Sequence, residues 1–545
     1  MAFTDHDDHD CARTVTNSSR PAANGSGAAS EGEESHAARI EGESESEGTT
    51  AVTEGVANMT LSKEEAQLVH DRAPALAGGD RDRTLSLDSV AKWHDKLVKD
   101  PKNLLAISAI SQNGPSAILT SPTSRITTSH IFNTKLPLEG NPVTNQRSSG
   151  RCWLFASTNV FRVALMKQYN LDSFELSQQY LYFWDKFEKA NWLLENAIDT
   201  AHEDVNGRLV QSLLAAPVGD GGQWDMLANI VEKYGLVPQC VYPDTFNAKA
   251  SAVMNRIITT KLREDVLALR KLAVDGKVQE LQTVKEKFLG EIYDIMVICM
   301  TAPPARHEEF TWEFYDKDKK FQSVTSTPLK YAQNLSSSQV VDAMGGTDVR
   351  ELFSLVNDPR NEYNRLLTVD RLGNVVGGRP VTYVNVDMPT IKTTAIEMLK
   401  AGIPVFFGCD VGKSSDRKTG ILDHELFRYD LGFNISLGMT KAERLITGES
   451  AMTHAMVLTA VHLDDEGKPV RWRVQNSWGE DPGNKGWFVA TDGWMDEWTY
   501  QVVVDPRFVS KEVRDVLKQD PVVLPLWDPM GALAREEARD ISSSL

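Results

Sequence analysis

Apolar residues recur at helical spacing in several stretches of the first 300 residues. One stretch, residues 85–98, has Asp88 or Ser89 near its start, and another begins at Cys152. Recurrence of this kind predicts amphipathic or buried helices. Further helices are predicted at residues 174–186, capped by Ser173, at residues 226–234, ending at Gly235, and across residues 248–300, where helix formers indicate a helical hairpin.

Shorter apolar and β-branched runs dominate the chain after residue 303. Residues 310–315 and 321–327 flank a polar, turn-like segment and predict a β-hairpin. Helices thus come first along the chain and strands later, which favours an α+β fold over alternating βαβ units. The other predicted strands are residues 381–386, 403–409, 455–463, 470–475, 486–490 and 500–504.

Composition limits the class of protein. The 545 residues, 41% of them hydrophobic, suffice for two or three domain-sized cores or one core with large insertions. No run of 18 apolar residues occurs, so no membrane-spanning segment is expected. Five widely spaced cysteines give no disulfide framework, and the acidic N-terminus matches neither a secretory signal nor a transit peptide. A cytoplasmic protein is therefore expected.

Half of the net charge of −18 lies in the first 60 residues, which hold twelve acidic residues and three arginines. Because this region is also rich in Ser and Gly, residues 1–80 are expected to form a disordered acidic tail. His6 and His9 stand among aspartates there, but a disordered tail is a poor metal site. We expect no metal and no cofactor.

Cys152 is a candidate nucleophile because the predicted helix begins at it. The free N–H groups and the positive end of the helix dipole favour a thiolate at this position. Ser149 and Gly150 are expected to provide the cap and the tight approach that such a start needs. Alternatively, Cys152 is a small buried hydrophobic residue, which is the commoner role of an arbitrary cysteine.

A cysteine nucleophile needs a base and a group that orients the base. His454 is placed at the start of one predicted strand and Asn476 just after the next, so neighbouring antiparallel strands would bring them together. The Asn476 oxygen could then accept the imidazole N–H, with Trp478 shielding that hydrogen bond. Taken singly, His454 could be a satisfied core or surface residue, and residues 476–479 could be only a turn.

Together, Cys152, His454 and Asn476 resemble the Cys/His/Asn triad of papain-like cysteine peptidases. The resemblance implies that Gln146 stabilises the oxyanion together with the backbone N–H of the cysteine. It also implies that Gly221 and Gly222 bind the substrate backbone. Ser149 departs from the family signature, because it replaces a cysteine that is disulfide-bonded in secreted relatives. That departure fits a cytoplasmic enzyme.

The spacing between Cys152 and His454 points to one particular group of papain-like peptidases. His454 lies 302 residues after Cys152, whereas papain-like enzymes place the His roughly 130 to 150 residues after the Cys. The chain therefore needs a large insertion, and it resembles the bleomycin hydrolase family of papain-like cysteine aminopeptidases. The motifs that carry this resemblance are residues 145–156 (Asn-Gln-Arg-Ser-Ser-Gly-Arg-Cys-Trp-Leu-Phe-Ala), 174–178 (Phe-Glu-Leu-Ser-Gln), 220–223 (Asp-Gly-Gly-Gln), 450–456 (Ser-Ala-Met-Thr-His-Ala-Met), 476–479 (Asn-Ser-Trp-Gly) and 524–534 (Leu-Pro-Leu-Trp-Asp-Pro-Met-Gly-Ala-Leu-Ala).

The expected fold is papain-like and α+β, with a helical half, a β-barrel-like half and a large helical insertion. After the tail of residues 1–80, its predicted parts are the helical half with the nucleophile at residues 81–247, an inserted helical and hairpin subdomain at 248–375, the β-rich half with His454 and Asn476 at 376–522, and a C-terminal arm at 523–545.

The resemblance implies a homohexameric ring in which the C-terminal arm lies in the active-site cleft. Its terminal carboxylate would pair with the free amine of a peptide substrate, so residues would be removed from N-termini. The family arm ends at or just past Ala534, whereas this chain continues for eleven residues, 535–545. We hypothesise that the enzyme trims its own C-terminus to or near Ala534. Alternatively, the additional residues form a harmless tail. Bleomycin and homocysteine thiolactone are further substrates implied by the resemblance.

Two other functions fit the sequence less well. Some relatives are reported to bind nucleic acid, and the predicted insertion carries eight basic residues, but acidic residues are interleaved with them and the chain is strongly acidic. A solvated helix surface is the better interpretation, so only weak binding is expected. An inactive scaffold is disfavoured because all four candidate catalytic residues are present. The eight basic residues are Arg256, Lys261, Arg263, Arg270, Lys271, Lys277, Lys285 and Lys287.

Overall fold

The computed structural model describes residues 85–535. The predicted tail at residues 1–80, which includes His6 and His9, and residues 536–545 of the C-terminal arm lie outside the described residues. The described part of the chain divides into two compact units, residues 85–107 and residues 108–535. No helix within it is long and apolar enough to cross a membrane.

The helix predicted at residues 85–98 is confirmed as Leu87–Val98, with the Ser86 side chain accepting a hydrogen bond from the N–H of Ser89.

The helices of the described residues are Leu87–Val98, Pro101–Ile110, Pro115–Leu119, Pro122–Thr127, Cys152–Gln168, Gln178–Asp199, Arg208–Ala215, Trp224–Tyr234, Phe246–Lys249, Ala252–Val274, Val278–Met300, Pro328–Gln333, Ser338–Ala343, Met388–Lys400, Tyr429–Phe433, Lys441–Thr447, Asp492–Trp498, Lys511–Asp515 and Ala532–Arg535. Four short 3₁₀ turns add Asn334–Ser336, Pro506–Phe508, Val516–Lys518 and Pro529–Gly531.

The expected cap at Ser173 is wrong, because the helix begins four residues later. Ser177 is the N-cap, and its hydroxyl accepts from the N–H of Tyr180 at 3.1 Å. The residues before it are extended instead: Leu176 forms an isolated β-bridge with Pro238. Backbone pairing to a neighbouring segment therefore overrides the local helical pattern there.

The predicted helical hairpin is confirmed. Helices Ala252–Val274 and Val278–Met300 pack against each other and are joined by a turn at Gly276, whose φ of +70° suits glycine. The first of them also packs against helix Gln178–Asp199. The strands of the predicted β-hairpin, Phe310–Tyr315 and Phe321–Ser326, form a separate two-stranded antiparallel sheet.

A twelve-stranded mixed sheet makes up the β-rich part of the described residues. All six strands predicted between residues 381 and 504 are present in it, within two residues of the predicted bounds. Strands Phe353–Val356 and Arg365–Val369 were not predicted, and they extend the same sheet. In chain order the strands are β1 (Thr134–Lys135), β2 (Phe310–Tyr315), β3 (Phe321–Ser326), β4 (Phe353–Val356), β5 (Arg365–Val369), β6 (Thr382–Asn385), β7 (Val405–Cys409), β8 (Ser415–Asp416), β9 (Ile421–Leu422), β10 (His454–Leu463), β11 (Pro469–Gln475), β12 (Trp487–Thr491), β13 (Thr499–Val504) and β14 (Val522–Leu524).

The order of strands in this sheet is β14-β5-β6-β4-β13-β7-β10-β11-β12-β9-β8, with β1 paired to β10. Strand β10 pairs antiparallel with both β7 and β11, so it lies in the interior of the sheet. The helix Cys152–Gln168 packs against β10. This contact brings the start of the predicted nucleophile helix to the strand that begins with His454.

Candidate active site

Cys152 is the first residue of a buried 17-residue helix. Its side chain is 1% exposed, and the N–H groups of Leu154 and Phe155 both bond back to the carbonyl of Arg151. Arg151 is therefore the N-cap, and the expected cap at Ser149 and Gly150 is wrong. The Arg151 side chain makes no capping hydrogen bond. The positive end of the helix dipole therefore acts directly at Cys152.

The loop before Cys152 is held from several sides. The Ser149 hydroxyl donates to the carbonyl of Gln146 at 2.6 Å and accepts from Nε of Arg151 at 2.9 Å. The Arg151 guanidinium, which is fully buried, makes a bidentate pair with Asp244 at 3.0 and 2.8 Å. Ser149 thus braces the turn instead of capping the helix.

His454 and Asn476 are brought together as predicted by the adjacent strands β10 and β11. Nε2 of His454 lies 3.0 Å from Oδ1 of Asn476, and the same oxygen accepts from the N–H of Ser477 at 2.8 Å. Because the Asn476 oxygen only accepts, Nε2 carries the proton. Nδ1 of the neutral imidazole is then the basic nitrogen.

Trp478 packs over the His454 imidazole, with ring centroids 5.1 Å apart. Trp478 also contacts Phe488, with ring centroids 5.7 Å apart in an edge contact. The Arg417 guanidinium lies 5.0 Å from the centroid of the Trp478 ring. This placement fits the predicted shielding of the His454–Asn476 hydrogen bond. Burial lowers the pKa of His454 from 6.5 to about 4, and the Asn476 hydrogen bond only partly opposes this.

Gln146 lies in the same buried cluster and is 2% exposed. Its Oε1 accepts from the hydroxyl of Ser477 at 2.7 Å, and its Nε2 donates to the carbonyl of Ser149 at 2.6 Å. An amide nitrogen has two N–H groups, so the bond to Ser149 uses only one of them. Ser477, whose role was not predicted, therefore connects Gln146 to Asn476, because its backbone N–H also donates to the Asn476 oxygen.

Backbone pairing joins the loops that carry these residues. The N–H of Gln146 donates to the carbonyl of Ser477 at 2.8 Å, and the N–H of Gly479 donates to the carbonyl of Thr144 at 3.0 Å. A second unpredicted residue, Asp410, holds the loop before His454 by accepting from Ser450 at 2.8 Å. The sequence signal that could have found it is its position directly after the strand predicted at residues 403–409.

Of the two predicted substrate-binding glycines, Gly221 lies against the chain's own C-terminal arm. A Cβ added to Gly221 would stand 1.8 Å from the carbonyl oxygen of Leu533 and 3.3 Å from the carbonyl carbon of Ala534. A Cβ added to Gly222 would stand 2.4 Å from the Trp153 ring. Only glycine allows either close approach. Gly221 and Ala534 are therefore neighbours.

Three contacts fix the arm before it reaches Gly221. Strand β14 pairs in parallel with β5, the Arg208 guanidinium lies 4.2 Å above the Trp527 ring, and Asp528 pairs with Arg360 at 2.8 Å. Leu533 is fully buried and Ala534 is 7% exposed. The arm is thus a packed part of this unit up to Ala534.

A model of the Peptidase C1-like family matches residues 84–531. The chain belongs to that family. Bleomycin hydrolase of Rattus norvegicus is 44% identical over 465 residues, which cover 83% of this chain and 99% of the relative. Aminopeptidase C of Listeria monocytogenes is 42% identical, with 83% and 99% covered.

Among solved structures, pepw from Lactobacillus rhamnosis is 42% identical, with a TM-score of 0.78 over 83% of this chain and 99% of that one. These similarities confirm the resemblance to bleomycin hydrolases, the papain-like α+β fold and the assignment as a cysteine-type aminopeptidase. The roles of the individual site residues stay predictions. Within residues 85–535 no group of three His, Cys, Asp or Glu side chains is arranged to hold a metal.

The buried imidazole has a consequence for stability. His454 takes up a proton near pH 6.5 in the unfolded chain and only near pH 4 in the fold. The free energy of unfolding should therefore be unaffected above pH 6.5 and fall as the pH drops from 6.5 to 4. Urea unfolding at pH 7 and pH 4.5 should show wild type losing about 2 kcal/mol more than His454→Gln. Equal losses in both proteins would contradict a buried neutral imidazole.

Proposed function

We propose that the protein removes residues from the free N-termini of peptides by a thioester mechanism. Its strongest support is the buried His454–Asn476 pair, 3.0 Å apart, in which His454 begins the strand β10 that packs against the Cys152 helix. Cys152 attacks the scissile carbonyl while its thiol proton passes to Nδ1 of His454. A C–S bond forms and the carbonyl becomes an oxyanion.

Gln146 and the backbone N–H of Cys152 stabilise the oxyanion of the tetrahedral intermediate. His454 then returns its proton to the leaving amine, and the C–N bond breaks to give a thioester. Water, deprotonated by His454, attacks that thioester and releases the N-terminal residue with a free carboxylate. Asn476 keeps the imidazole in the tautomer that both steps need.

The arm selects for N-termini in this proposal. The backbone of Leu533 and Ala534 covers Gly221, so a substrate cannot extend along the cleft past this point. A carboxylate at Ala534 would meet the ammonium of a substrate, which would otherwise be bound unpaired. This requires removal of residues 535–545, and we propose that the Cys152 site itself removes them.

One peptide, with and without an N-terminal acetyl group, tests the proposed activity. The free peptide should lose residues one at a time from its N-terminus, and the acetylated form should be cut at least about 100-fold more slowly, because a charge-assisted hydrogen bond is lost and the acetyl group meets the arm. Mass spectrometry of the products over time measures both. Cleavage of both peptides at one internal bond would identify an endopeptidase instead.

Further parts of the proposal rest on the family resemblance. They are hydrolysis of bleomycin and of homocysteine thiolactone, which both present a carbonyl near a free amine, and assembly as a homohexamer. A cytoplasmic location is also proposed, since Cys152, Cys240, Cys299 and Cys409 form no disulfide bond within the described residues.

The alternative, a nucleic-acid-binding ring, has weaker support because most basic residues of the helical hairpin have partners. Lys261 pairs with Asp265 and Glu291, and the guanidinium of Arg263 donates to the carbonyl of Leu214. Lys277, Lys285 and Lys287 also form ion pairs with glutamates, and Arg270 bonds to the carbonyl of Thr200. A face of this kind offers little uncompensated charge for phosphates.

A further inference from the structure

Asp220, directly before the two glycines, is a fully buried carboxylate with five hydrogen-bond donors around it. Its Oδ2 accepts from the backbone N–H of Gly150 at 3.0 Å and from the hydroxyl of Ser251 at 2.5 Å. Its Oδ1 accepts from Tyr182 at 2.7 Å, Asn255 at 2.7 Å and Lys186 at 3.0 Å. One side chain thus ties together four separate segments of the chain.

The segments that meet at Asp220 are those that build the cleft. Gly150 stands two residues before Cys152, in the loop that delivers the nucleophile. Ser251 and Asn255 stand at the start of the first hairpin helix, Ala252–Val274. Through its own carbonyl, Asp220 also accepts from the indole N–H of Trp153 at 2.8 Å, on the residue after Cys152. Asp220 therefore bonds both to the residue two positions before Cys152 and to the residue directly after it.

Two lysines of helix Gln178–Asp199 hold the remaining carbonyls of this loop. Lys186 donates to Val218 at 2.7 Å, and Lys189 donates to Gly219 at 2.9 Å and to Gly221 at 2.5 Å. Lys189 is in turn paired with Asp185 at 2.6 Å. The position of Gly221, and with it the surface that carries the arm, is thereby fixed relative to Asp220.

Stability alone is a poor reason for this arrangement. Lys186 and Asp220 are both fully buried, and a buried ion pair of this kind is often no more stabilising than apolar residues of the same size. Lys186 holds the pKa of Asp220 well below its usual range despite burial, so the carboxylate stays charged and acts only as an acceptor. An acceptor is what the N–H of Gly150 requires.

We infer that Asp220 is a positioning residue that sets Cys152 relative to the glycine pair by accepting the N–H of Gly150, with Lys186 supplying the compensating charge. This inference rests on the proposed cysteine peptidase mechanism. Loss of the acceptor should lower kcat more than it changes KM, because a displacement of about 1 Å at the nucleophile can cost about 100-fold in rate. Substrate binding at the arm is left intact.

Two double variants separate positioning from charge burial. Asp220→Asn/Lys186→Met and Asp220→Ala/Lys186→Met both remove the ion pair, but only the asparagine keeps an oxygen for Gly150. We expect kcat about 100-fold lower in the alanine variant than in the asparagine variant, with KM values within about threefold. Equal kcat values in the two folded proteins would overturn the inference. Thermal unfolding of each variant sets an assay temperature at which both are folded.

If the alanine variant does not fold, the single variant Asp220→Asn makes the same comparison. With Lys186 present, the ammonium attracts the amide oxygen and turns the amide N–H groups toward Gly150. Its kcat should therefore lie below that of Asp220→Asn/Lys186→Met, and a kcat equal to or above it would contradict the inference. Asp265→Asn is the matched control, since Asp265 is also buried and paired with a lysine but lies ten residues along the helix from Asn255.

Alkylation of Cys152 by iodoacetamide keeps this test separate from the proposed function. The alkylation rate needs no peptide substrate, and it should fall in the alanine variant relative to the asparagine variant. A wild-type protein that alkylates at Cys152 but releases no amino acids would refute the aminopeptidase proposal only. Identical alkylation rates in the two variants would refute the positioning role only.

Discussion

Replacement of Cys152 by alanine should lower the release of N-terminal residues by about 10⁴- to 10⁶-fold, the range seen when a covalent nucleophile is removed. The reason is that no other described thiol is the first residue of a helix beside His454. Release of a fluorescent amine from an aminoacyl amide at saturating substrate measures kcat directly. Cys299→Ala is the control, because Cys299 is a partly exposed free thiol near the end of a helix, not at the start of one.

The same pair of proteins tests trimming of the C-terminus. Purified wild type should have an intact mass lacking the eleven residues 535–545, whereas Cys152→Ala should keep them. Full-length mass in both proteins would refute self-processing. Shortened mass in both would assign the cut to another protease. If Cys152→Ala retained wild-type activity, the nucleophile assignment itself would be wrong.

The proximity of His454 and Asn476 could be predicted from sequence because the candidate site residues stand in short, distinctive motifs. Cys152 opens an apolar helical pattern, and His454 and Asn476 flank two β-rich runs, so type and spacing pointed to a triad. The structure confirms that His454 and Asn476 form a hydrogen bond. It also brings Gln146 to Ser477, which is next to Asn476.

Asp220 could not be assigned a role in this way, because its partners are distant in sequence. The hydrogen bond to Gly150 joins residues 70 apart, and those to Tyr182 and Asn255 join residues 38 and 35 apart. Side-chain contacts between such distant residues produce no periodic pattern in the sequence. The aspartate was visible only as part of a motif.

Of the six strands that were not predicted, the two longest were missed for a different physical reason. Phe353–Val356 and Arg365–Val369 have four and five residues and are largely buried on both faces, so apolar and polar residues do not alternate along them. At residues 174–176 the opposite error occurred, since the start of a pattern that looked helical pairs with a neighbouring segment instead. In both places tertiary contacts decided the local structure.

In the proposed mechanism, the arm and Gly221 adapt a papain-like triad to the removal of terminal residues. The triad would supply bond cleavage, whereas selection would come from residues that reach Gly221 from the other end of the chain. Gly221 is the contact point, because its missing side chain leaves room for the carbonyl of Leu533. A change at this contact should therefore alter the preference for substrates with a free N-terminus without abolishing catalysis.

Gly221→Ala should weaken the preference for a free N-terminus while Cys152 remains reactive. The new methyl group would stand 1.8 Å from the Leu533 carbonyl oxygen, so the arm has to move away from the cleft. Loss of one charge-assisted contact to the substrate amine should lower kcat/KM for free peptides by roughly 10- to 100-fold. Acetylated peptides should be cut faster than by wild type, because the arm no longer closes the cleft.

The measurement is the ratio of kcat/KM values for a free and an acetylated peptide, with alkylation of Cys152 as a check that the nucleophile is intact. Gly531→Ala is the matched control, because a Cβ there meets Leu372 and Val369 at 3.4 Å, an ordinary contact on the same arm. The control should keep the wild-type ratio. A wild-type ratio in Gly221→Ala as well would mean that the arm does not select the substrate, and discrimination would then have to arise elsewhere in the cleft.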